Sequence, residues 1–336
     1  MTKAWKVVRT DRELELPGVD RRLRESGVEL VLLAGDVSEE ELILAIADAD
    51  LLLTCYAKIT RKVIEGASNL KAIVKYGVGI DAIDIDAARE RSIPVANVPG
   101  YAEETVAEGA FVLMMALAKR FKLIHHAMQT DGWVWPENRW IANDLAGKTL
   151  GLIGVGRIGR SMARMASAFR MQVLGFDPHV VDMPAERYTD LTAMLEQCDF
   201  VSLHCVLNEQ TRKILGDKEL RCMKQTAYLV NVSRGELIDE DALLCALCEK
   251  RLAGAALDVY EDEPLRKLGH RLSDLYSMDN VILWPHLTFY TEEAMQRLEY
   301  ETLQRCFEAL EGRLLTITSG DPRLIAQTAG VRFDLA

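Results

Sequence analysis

The sequence predicts an α/β protein made of two doubly wound, parallel-sheet domains with a cleft between them. Two series of alternating strands and helices carry this prediction, one in roughly the first hundred of the 336 residues and one that starts near Lys148. The strands are continuous apolar runs, as expected of parallel strands covered by helices on both faces. The length also exceeds that of one ordinary domain and suits two.

The first series is predicted to contain short apolar strands separated by amphipathic helices. The expected strands are at 28–33, 50–54, 70–77 and 93–97, and the expected helices are at 38–49, 60–66 and 84–92. Ser38 and Glu41 have the spacing of a capping box, which marks the start of a helix. After this series, one long helix with an apolar middle is expected over 103–128, followed by the loop "GWVWPENRW".

The second series predicts a complete doubly wound sheet. Its six strands are expected at about 149–153, 171–176, 200–204, 227–231, 254–259 and 281–284, with helical patterns between most of them. A final amphipathic helix is expected over 291–312, with Thr291 as its N-cap and Gly312 at its end.

The composition restricts the classes of partner. The formal net charge is −11 at pH 7, whereas nucleic acids and anionic membranes are bound by basic surfaces. No apolar run reaches the roughly 18 residues that span a bilayer, and the charged start differs from a signal peptide. Seven cysteines, an odd number in apolar surroundings, favour reduced thiols in the cytoplasm. The pair Cys245 and Cys248 is interpreted as part of a buried helix face, and no metal site is predicted.

The stretch "TLGLIGVGRIGR" contains a GxGxxG motif between a predicted strand and a predicted helix. Gly154 permits a tight turn, Gly156 lets a pyrophosphate approach the backbone, and Gly159 lets the helix pack on the strand. The start of the helix offers N–H groups and a positive dipole end to phosphates. Asp177 ends the next strand, where a carboxylate accepts hydrogen bonds from ribose hydroxyls and repels a 2′-phosphate. The motif therefore predicts a Rossmann domain that binds NAD rather than NADP.

Three later strands are each followed by a residue with reactive or binding chemistry. Arg234 follows "AYLVN", Glu263 follows "AALDVY", and His286 follows "VILW". Because ligands bind beyond the carboxyl ends of such strands, the three side chains are expected at one edge. A guanidinium can hold a carboxylate, a histidine can transfer a proton, and an adjacent carboxylate fixes the histidine tautomer. With a hydride donor, this set suits interconversion of 2-keto and 2-hydroxy acids. His204 also ends a strand, and spacing alone does not separate it from His286.

The chain resembles the D-isomer-specific 2-hydroxyacid dehydrogenases, in particular a D-lactate dehydrogenase-like branch. The resemblance rests on "KYGVGIDAIDIDAARERSIPVANVPGYAEETVAEGA", "GKTLGLIGVGRIGR", "LVNVSRGELIDEDAL", "GAALDVYEDEPL" and "PHLTFYT". It implies that Arg234 binds the substrate carboxylate and that His286 is the acid/base supported by Glu263. It also implies that backbone N–H groups of Val78 and Gly79 contact the carboxylate. The NAD contacts that it implies are Thr105, Arg157, Ile158, Asp177, Cys205, Val206, Thr211, Val232 and Asp258.

The resemblance also implies the domain boundaries and the assembly. A flavodoxin-like substrate domain is expected from 1–100 and 291–336, an NAD domain from 101–290, and a homodimer through the NAD domain. An apolar substrate pocket is predicted from Phe289, Tyr290, Tyr101 and Tyr56, which suits a small or medium, uncharged keto acid such as pyruvate. Two other functions stay open: a 3-phosphoglycerate or glyoxylate/hydroxypyruvate reductase, and an NADH-sensing corepressor-like binding protein.

Overall fold

The computed structural model describes residues 5–335, which form two compact units. The first unit ends at Ala102 and resumes at Thr291, and the second runs over Glu103–Tyr290. Each unit has its own parallel sheet, so the predicted α/β fold class with two doubly wound sheets is confirmed. Among the described residues, no helix combines the length and the apolar character that crossing a membrane requires.

The first unit begins with five strands that alternate with four helices. In chain order these elements are β1 (Lys6–Arg9), α1 (Pro17–Glu25), β2 (Glu29–Leu32), α2 (Glu39–Ile46), β3 (Leu51–Thr54), α3 (Arg61–Gly66), β4 (Ala72–Lys75), α4 (Ile85–Glu90) and β5 (Val95–Asn97). The strand order is β2-β1-β3-β4-β5, which is the flavodoxin order. The central strands β3 and β4 are buried throughout because helices cover both faces. Ser38 caps α2 through the predicted capping box with Glu41.

The second unit begins with two helices and continues with a sheet of seven strands. Its elements are α5 (Glu103–Ala118), α6 (Phe121–Asp131), β6 (Thr149–Ile153), α7 (Arg157–Ala168), β7 (Gln172–Phe176), β8 (Glu186–Tyr188), α8 (Leu191–Leu195), β9 (Phe200–Leu203), α9 (Asp217–Cys222), β10 (Tyr228–Asn231), α10 (Glu240–Cys248), β11 (Gly254–Leu257) and β12 (Val281–Leu283). The strand order is β8-β7-β6-β9-β10-β11-β12, the Rossmann order with one added strand. The order reverses between β6 and β9, which opens a crevice at their carboxyl ends.

The chain then returns to the first unit. It forms α11 (Glu292–Leu310), β13 (Leu315–Ile317), α12 (Pro322–Ile325) and β14 (Val331–Phe333), of which β13 and β14 pair as a separate two-stranded sheet. The side chain of Thr291 accepts a hydrogen bond from the N–H of Ala294 and caps α11. Gly312 follows the end of this helix with φ of +72°, a value that favours glycine.

Two predictions about helices are wrong. The single helix expected over 103–128 is broken between α5 and α6, because Arg120 adopts a left-handed φ of 50° and the chain changes direction there. The carbonyl of Ala118, at the end of α5, accepts a hydrogen bond from the N–H of Asn143. Cys245 and Cys248 do lie on α10, but both are exposed rather than on its buried face.

Candidate active site

The GxGxxG turn brings two pieces of backbone unusually close together. Gly154 follows β6 with φ of +90°, and a Cβ added to it would lie 2.4 Å from the backbone nitrogen of Cys205. A Cβ on Gly159 would lie 2.3 Å from the carbonyl oxygen of Gly154. A side chain at Gly154 would therefore push the turn away from the backbone that follows β9, and one at Gly159 would separate α7 from the turn after β6. A Cβ on Gly156, by contrast, would meet no atom within 4 Å.

The start of α7 fits a pyrophosphate. Gly156 is the N-cap of this helix and provides no side-chain hydrogen bond to its first turn. The N–H groups at a helix start need acceptors, and phosphate oxygens provide them together with a favourable negative charge. The open space beside Gly156 lets such a group reach the backbone. The Arg157 guanidinium is 3.0 Å from Glu103, so this side chain is held by a carboxylate of the same unit.

The predicted ribose ligand stands next to this turn. Asp177 directly follows β7, and its Oδ2 accepts a hydrogen bond of 2.9 Å from the N–H of Val155. Its Oδ1 accepts hydrogen bonds from the N–H groups of His179 and Val180. These contacts fix a carboxylate at the carboxyl edge of the sheet, bonded to Val155, the residue that follows Gly154. A carboxylate at this place can accept hydroxyl hydrogen bonds and repels a phosphate.

The other residues predicted to contact NAD belong to the same unit but differ in exposure. Thr105 and Val232 are buried, whereas Val206 is exposed and its carbonyl accepts a hydrogen bond from Thr211 Oγ1. Burial raises the pKa of the Cys205 thiol to about 12, so this side chain stays neutral. The Cys205 carbonyl accepts a 2.7 Å hydrogen bond from Ser233 Oγ. Nothing in these contacts tests their roles toward NAD, which stay predictions.

The structure brings Arg234, Glu263 and His286 together. His286 Nδ1 lies 2.8 Å from Glu263 Oε2, and Glu263 Oε1 accepts a 3.0 Å hydrogen bond from the N–H of Tyr260. Partial loss of water would raise the pKa of Glu263. The hydrogen bond and charge of His286, the Tyr260 N–H and the charge of Arg234 outweigh that effect, so the pKa lies below its ordinary value. Glu263 is therefore a carboxylate at neutral pH. Arg234 is half-buried, and its Nη1 donates to the Ser233 carbonyl.

The backbone around His286 is fixed by Asp258. His286 has φ of +56°, and its N–H donates to the Asp258 carbonyl. The Asp258 carboxylate is fully buried and accepts hydrogen bonds from the N–H groups of Leu287 and Thr288 and from Thr288 Oγ1. Both carboxylate oxygens thus hold the turn that carries the histidine. The predicted contact of Asp258 with NAD stays a prediction.

His204 and His286, which spacing alone does not separate, differ in their surroundings. His204 Nε2 is 2.9 Å from Ser202 Oγ, and its Nδ1 is buried without a hydrogen-bond partner among the described residues. Burial lowers the pKa of His204 to about 4, which keeps the ring neutral at physiological pH. A neutral, enclosed imidazole is a poor proton donor. His286, which has a carboxylate partner, is the better candidate.

The predicted substrate residues are divided between the units. Val78, Gly79, Tyr101 and Tyr56 belong to the first unit, and Phe289 and Tyr290 to the second. The Phe289 ring packs edge-on against His286 with 6.3 Å between ring centres, and Tyr290 packs in the same way against Phe289. In the first unit, Tyr101 is buried and Tyr56 is 43% exposed.

Sequence reasoning missed a supporting network behind Glu263. Glu240 is 3% exposed, accepts a 2.7 Å hydrogen bond from the N–H of Glu261, and pairs with Arg271 at the same distance. Arg271 also contacts the Glu261 carboxylate. The network fixes the loop that begins at Tyr260. Because Glu240 and Arg271 are 31 residues apart, no local spacing marks them as partners.

Comparison with a protein-family model identifies the family of this chain. Residues 111–288 match the model of the D-isomer specific 2-hydroxyacid dehydrogenase, NAD binding domain. The chain belongs to this dehydrogenase family. As a member it is an NAD-dependent oxidoreductase that acts on the CH–OH group of its donors, and NAD is its cofactor.

Curated members of this dehydrogenase family carry several names. A glyoxylate reductase of Thermofilum pendens is 39% identical over 285 residues, which cover 82% of this chain and 83% of that protein. A D-3-phosphoglycerate dehydrogenase of Methanocaldococcus jannaschii is 36% identical over 320 residues, or 92% of this chain. The matched region spans only 60% of the length of that second protein.

Solved structures of family members share the fold. A D-lactate dehydrogenase of Aquifex aeolicus, complexed with NAD and lactic acid, has a TM-score of 0.82 and 29% identity. The match covers 92% of this chain and 96% of the solved one. The family is therefore established, while the D-lactate dehydrogenase-like branch stays a prediction.

Proposed function

We propose that this dehydrogenase reversibly transfers hydride between NADH and a small or medium 2-keto acid with an uncharged side chain, such as pyruvate. The observation that carries the proposal is the 2.8 Å hydrogen bond between His286 Nδ1 and Glu263 Oε2, with Arg234 close enough to lower the Glu263 pKa. An imidazole, a carboxylate and a guanidinium are the groups that acid/base chemistry on a carboxylate-bearing substrate requires.

Each residue has a defined role in the proposed reaction. Because Nδ1 is held by Glu263, Nε2 of His286 exchanges the proton with the substrate oxygen. Glu263 fixes the tautomer and the orientation of the ring. Arg234 anchors the carboxylate with its planar fork. NADH held at the glycine turn would supply the hydride for the carbonyl carbon, and His286 provides the proton that the new hydroxyl needs.

The residues predicted to recognise the substrate have separate roles in this proposal. We assign the carboxylate contacts to the N–H groups of Val78 and Gly79 and the apolar contacts to Tyr101, Tyr56, Phe289 and Tyr290. The edge-on packing of Phe289 against His286 supports an apolar surface beside the proton donor. Such a surface favours an uncharged substrate side chain over a phosphorylated one.

A second candidate is glyoxylate or hydroxypyruvate reduction. It is supported by the relatives of that name, including the Thermofilum pendens protein at 39% identity. The Methanocaldococcus jannaschii relative makes 3-phosphoglycerate a further substrate to test.

A panel of 2-keto acids tests the proposal. NADH oxidation is measured with pyruvate, 2-ketoisocaproate, phenylpyruvate, glyoxylate, hydroxypyruvate and 3-phosphohydroxypyruvate. The proposal expects the highest kcat/KM with one of the first three acids, which carry apolar side chains, and a strong preference for the phosphorylated acid would overturn it. Arg234→Ala should lower kcat/KM at least about a hundredfold, or about 2.7 kcal/mol. NADH binding without turnover of any acid would instead favour an NADH-sensing binding protein.

We also propose a homodimer through the NAD-binding unit. Large apolar side chains are exposed along one part of it: Val112, Phe121, Trp133, Trp135 and Ile141, each at least 63% exposed. Exposed apolar surface of this kind is typical of protein interfaces. Light scattering should give twice the 37.6 kDa chain mass, and Val112→Glu should shift the protein toward monomer. A wild-type monomer would refute this assembly. The cytoplasmic location stays a prediction.

A further inference from the structure

Lys75 is a buried cation at the carboxyl edge of the first unit. It is the last residue of β4 and is only 6% exposed. Its Nζ donates to the Cys55 carbonyl and lies 3.4 Å from Cys55 Sγ. The same ammonium stands over the ring of Tyr56, 5.5 Å from its centre.

No carboxylate neutralises this ammonium within ion-pair distance in the described part of the chain. Asp11, which contacts the loop that carries Cys55, is 2% exposed. Its carboxylate accepts hydrogen bonds from the N–H groups of Cys55, Tyr56 and Ala57 instead. Burying a charge is unfavourable unless an opposite charge accompanies it. The position of Lys75 therefore favours an anion that is not part of the chain.

The ammonium lies directly behind the turn at Gly77–Gly79. Gly77 has φ of +152°, and a Cβ on it would lie 3.3 Å from Lys75 Cε and 3.4 Å from Lys75 Nζ. Asn97 Nδ2 donates to the Val78 carbonyl of the same turn. That contact engages the carbonyl, and the proposed function assigns the N–H groups of Val78 and Gly79 to the substrate carboxylate. The positive charge of Lys75 thus adds to the field of those N–H dipoles.

We propose that Lys75 is a positioning residue that makes the Val78–Gly79 turn select a carboxylate over a neutral group of the same shape. The inference rests on the proposed function, in which this turn receives the carboxylate of a 2-keto acid. Lys75 supplies charge behind the turn without touching the substrate. In a partly desolvated site such a charge acts more strongly than in water.

The test compares a 2-keto acid with its neutral amide, for example pyruvate with pyruvamide. Lys75→Gln removes the charge but retains a donor for the Cys55 carbonyl, and Lys75→Arg keeps the charge. Lys58→Gln is the matched control, because Lys58 is an exposed lysine of the same unit. Lys75→Gln should raise KM for pyruvate at least tenfold, leave kcat and the pyruvamide KM within twofold, and so lower the acid-to-amide selectivity tenfold. Lys75→Arg and Lys58→Gln should keep that selectivity.

Two results would overturn the inference. Equal losses with pyruvate and pyruvamide in Lys75→Gln would show a merely structural lysine, and unchanged selectivity would show a lysine without influence on substrate. If Lys75→Gln lowers Tm below the assay temperature, Lys75→Met is measured in its place and judged by the same ratio. If the wild-type protein reduces no 2-keto acid, the proposed function itself is contradicted. That result differs from unchanged selectivity in Lys75→Gln, so the two failures are distinguishable.

Discussion

Oε2 of Glu263 lies 2.8 Å from Nδ1 of His286, which commits this ring nitrogen to the carboxylate. The second oxygen of Glu263 is held by the N–H of Tyr260. The carboxylate is thus fixed on both sides, and it in turn fixes the tautomer and the direction of the imidazole. Proton exchange with a substrate is then directed to Nε2.

Replacing either member of this pair should impair turnover more than binding. His286→Asn removes the proton donor and should lower kcat about a hundred- to ten-thousandfold. Glu263→Gln keeps the shape but loses the carboxylate that fixes the tautomer and direction of the imidazole, so kcat for keto-acid reduction should fall about tenfold or more. Steady-state kinetics, together with NADH binding measured by fluorescence, separate the two effects.

The neighbouring Asp262 provides the control for this pair. It is an exposed acid next to Glu263, and Asp262→Asn should leave kcat within about twofold. An unchanged kcat in His286→Asn would show that His286 is not the proton donor.

Alanine substitutions at two glycines of the GxGxxG turn are expected to affect different properties, stability at Gly159 and NADH binding at Gly156. A Cβ on Gly159 would lie 2.3 Å from the Gly154 carbonyl oxygen, so Gly159→Ala should destabilise the second unit by about 1–3 kcal/mol. A Cβ on Gly156 has open space around it, so Gly156→Ala should keep nearly the wild-type Tm while NADH binding weakens at least about tenfold. Thermal melts and NADH titrations of both variants test the contrast, and tight NADH binding by Gly156→Ala would contradict it.

Periodicity and turn signals were sufficient for most of the fold, but they failed where tertiary contacts decide. The alternating strands, the Ser38 capping box and the Thr291 cap follow local rules, and the structure contains them. Strand β1 was not predicted, because it has only four residues and ends in a charged one. Arg9 is nevertheless 1% exposed, since Asp20 on α1 binds its guanidinium with two hydrogen bonds.

The candidate site shows the same limit. Sequence spacing puts both His204 and His286 at strand ends. Their difference in burial and in hydrogen-bond partners is visible only in the structure. Likewise, no glycine or proline marks the break between α5 and α6, because an arginine, Arg120, adopts the left-handed conformation there. The buried state of Lys75 was also invisible in "KAIVKYG", where lysine suggests a solvent-exposed position.

Asp177 should determine the preference for NADH over NADPH. Its carboxylate is fixed by backbone N–H groups beside the glycine turn, where it would repel a 2′-phosphate. Asp177→Ala should raise the KM for NADH and lower the NADH-to-NADPH selectivity at least about tenfold. The exposed Asp182 offers a matched control, since Asp182→Ala removes the same charge nearby. Equal selectivity in wild type and Asp177→Ala would assign the preference to other residues.

His204 should make the folded protein sensitive to mild acid. Burial lowers the pKa of His204 from 6.5 to about 4. Between these two pH values the unfolded chain binds a proton at this histidine and the folded protein does not. Its contribution to stability is therefore complete above pH 6.5 and is lost as the pH falls from there toward about 4. By linkage, the loss reaches about 2 kcal/mol near pH 5.

His204→Asn removes the titrating group and can still bond to Ser202, so its denaturation midpoint in urea should fall less than that of wild type between about pH 7.5 and pH 5. His126→Asn is the control, because His126 is exposed and its replacement should leave the wild-type pH dependence unchanged. The comparison uses the change with pH rather than the stability at one pH, since any packing defect of the variant is present at both. If wild type and His204→Asn lose equal stability on acidification, the neutral buried imidazole inferred here is incorrect.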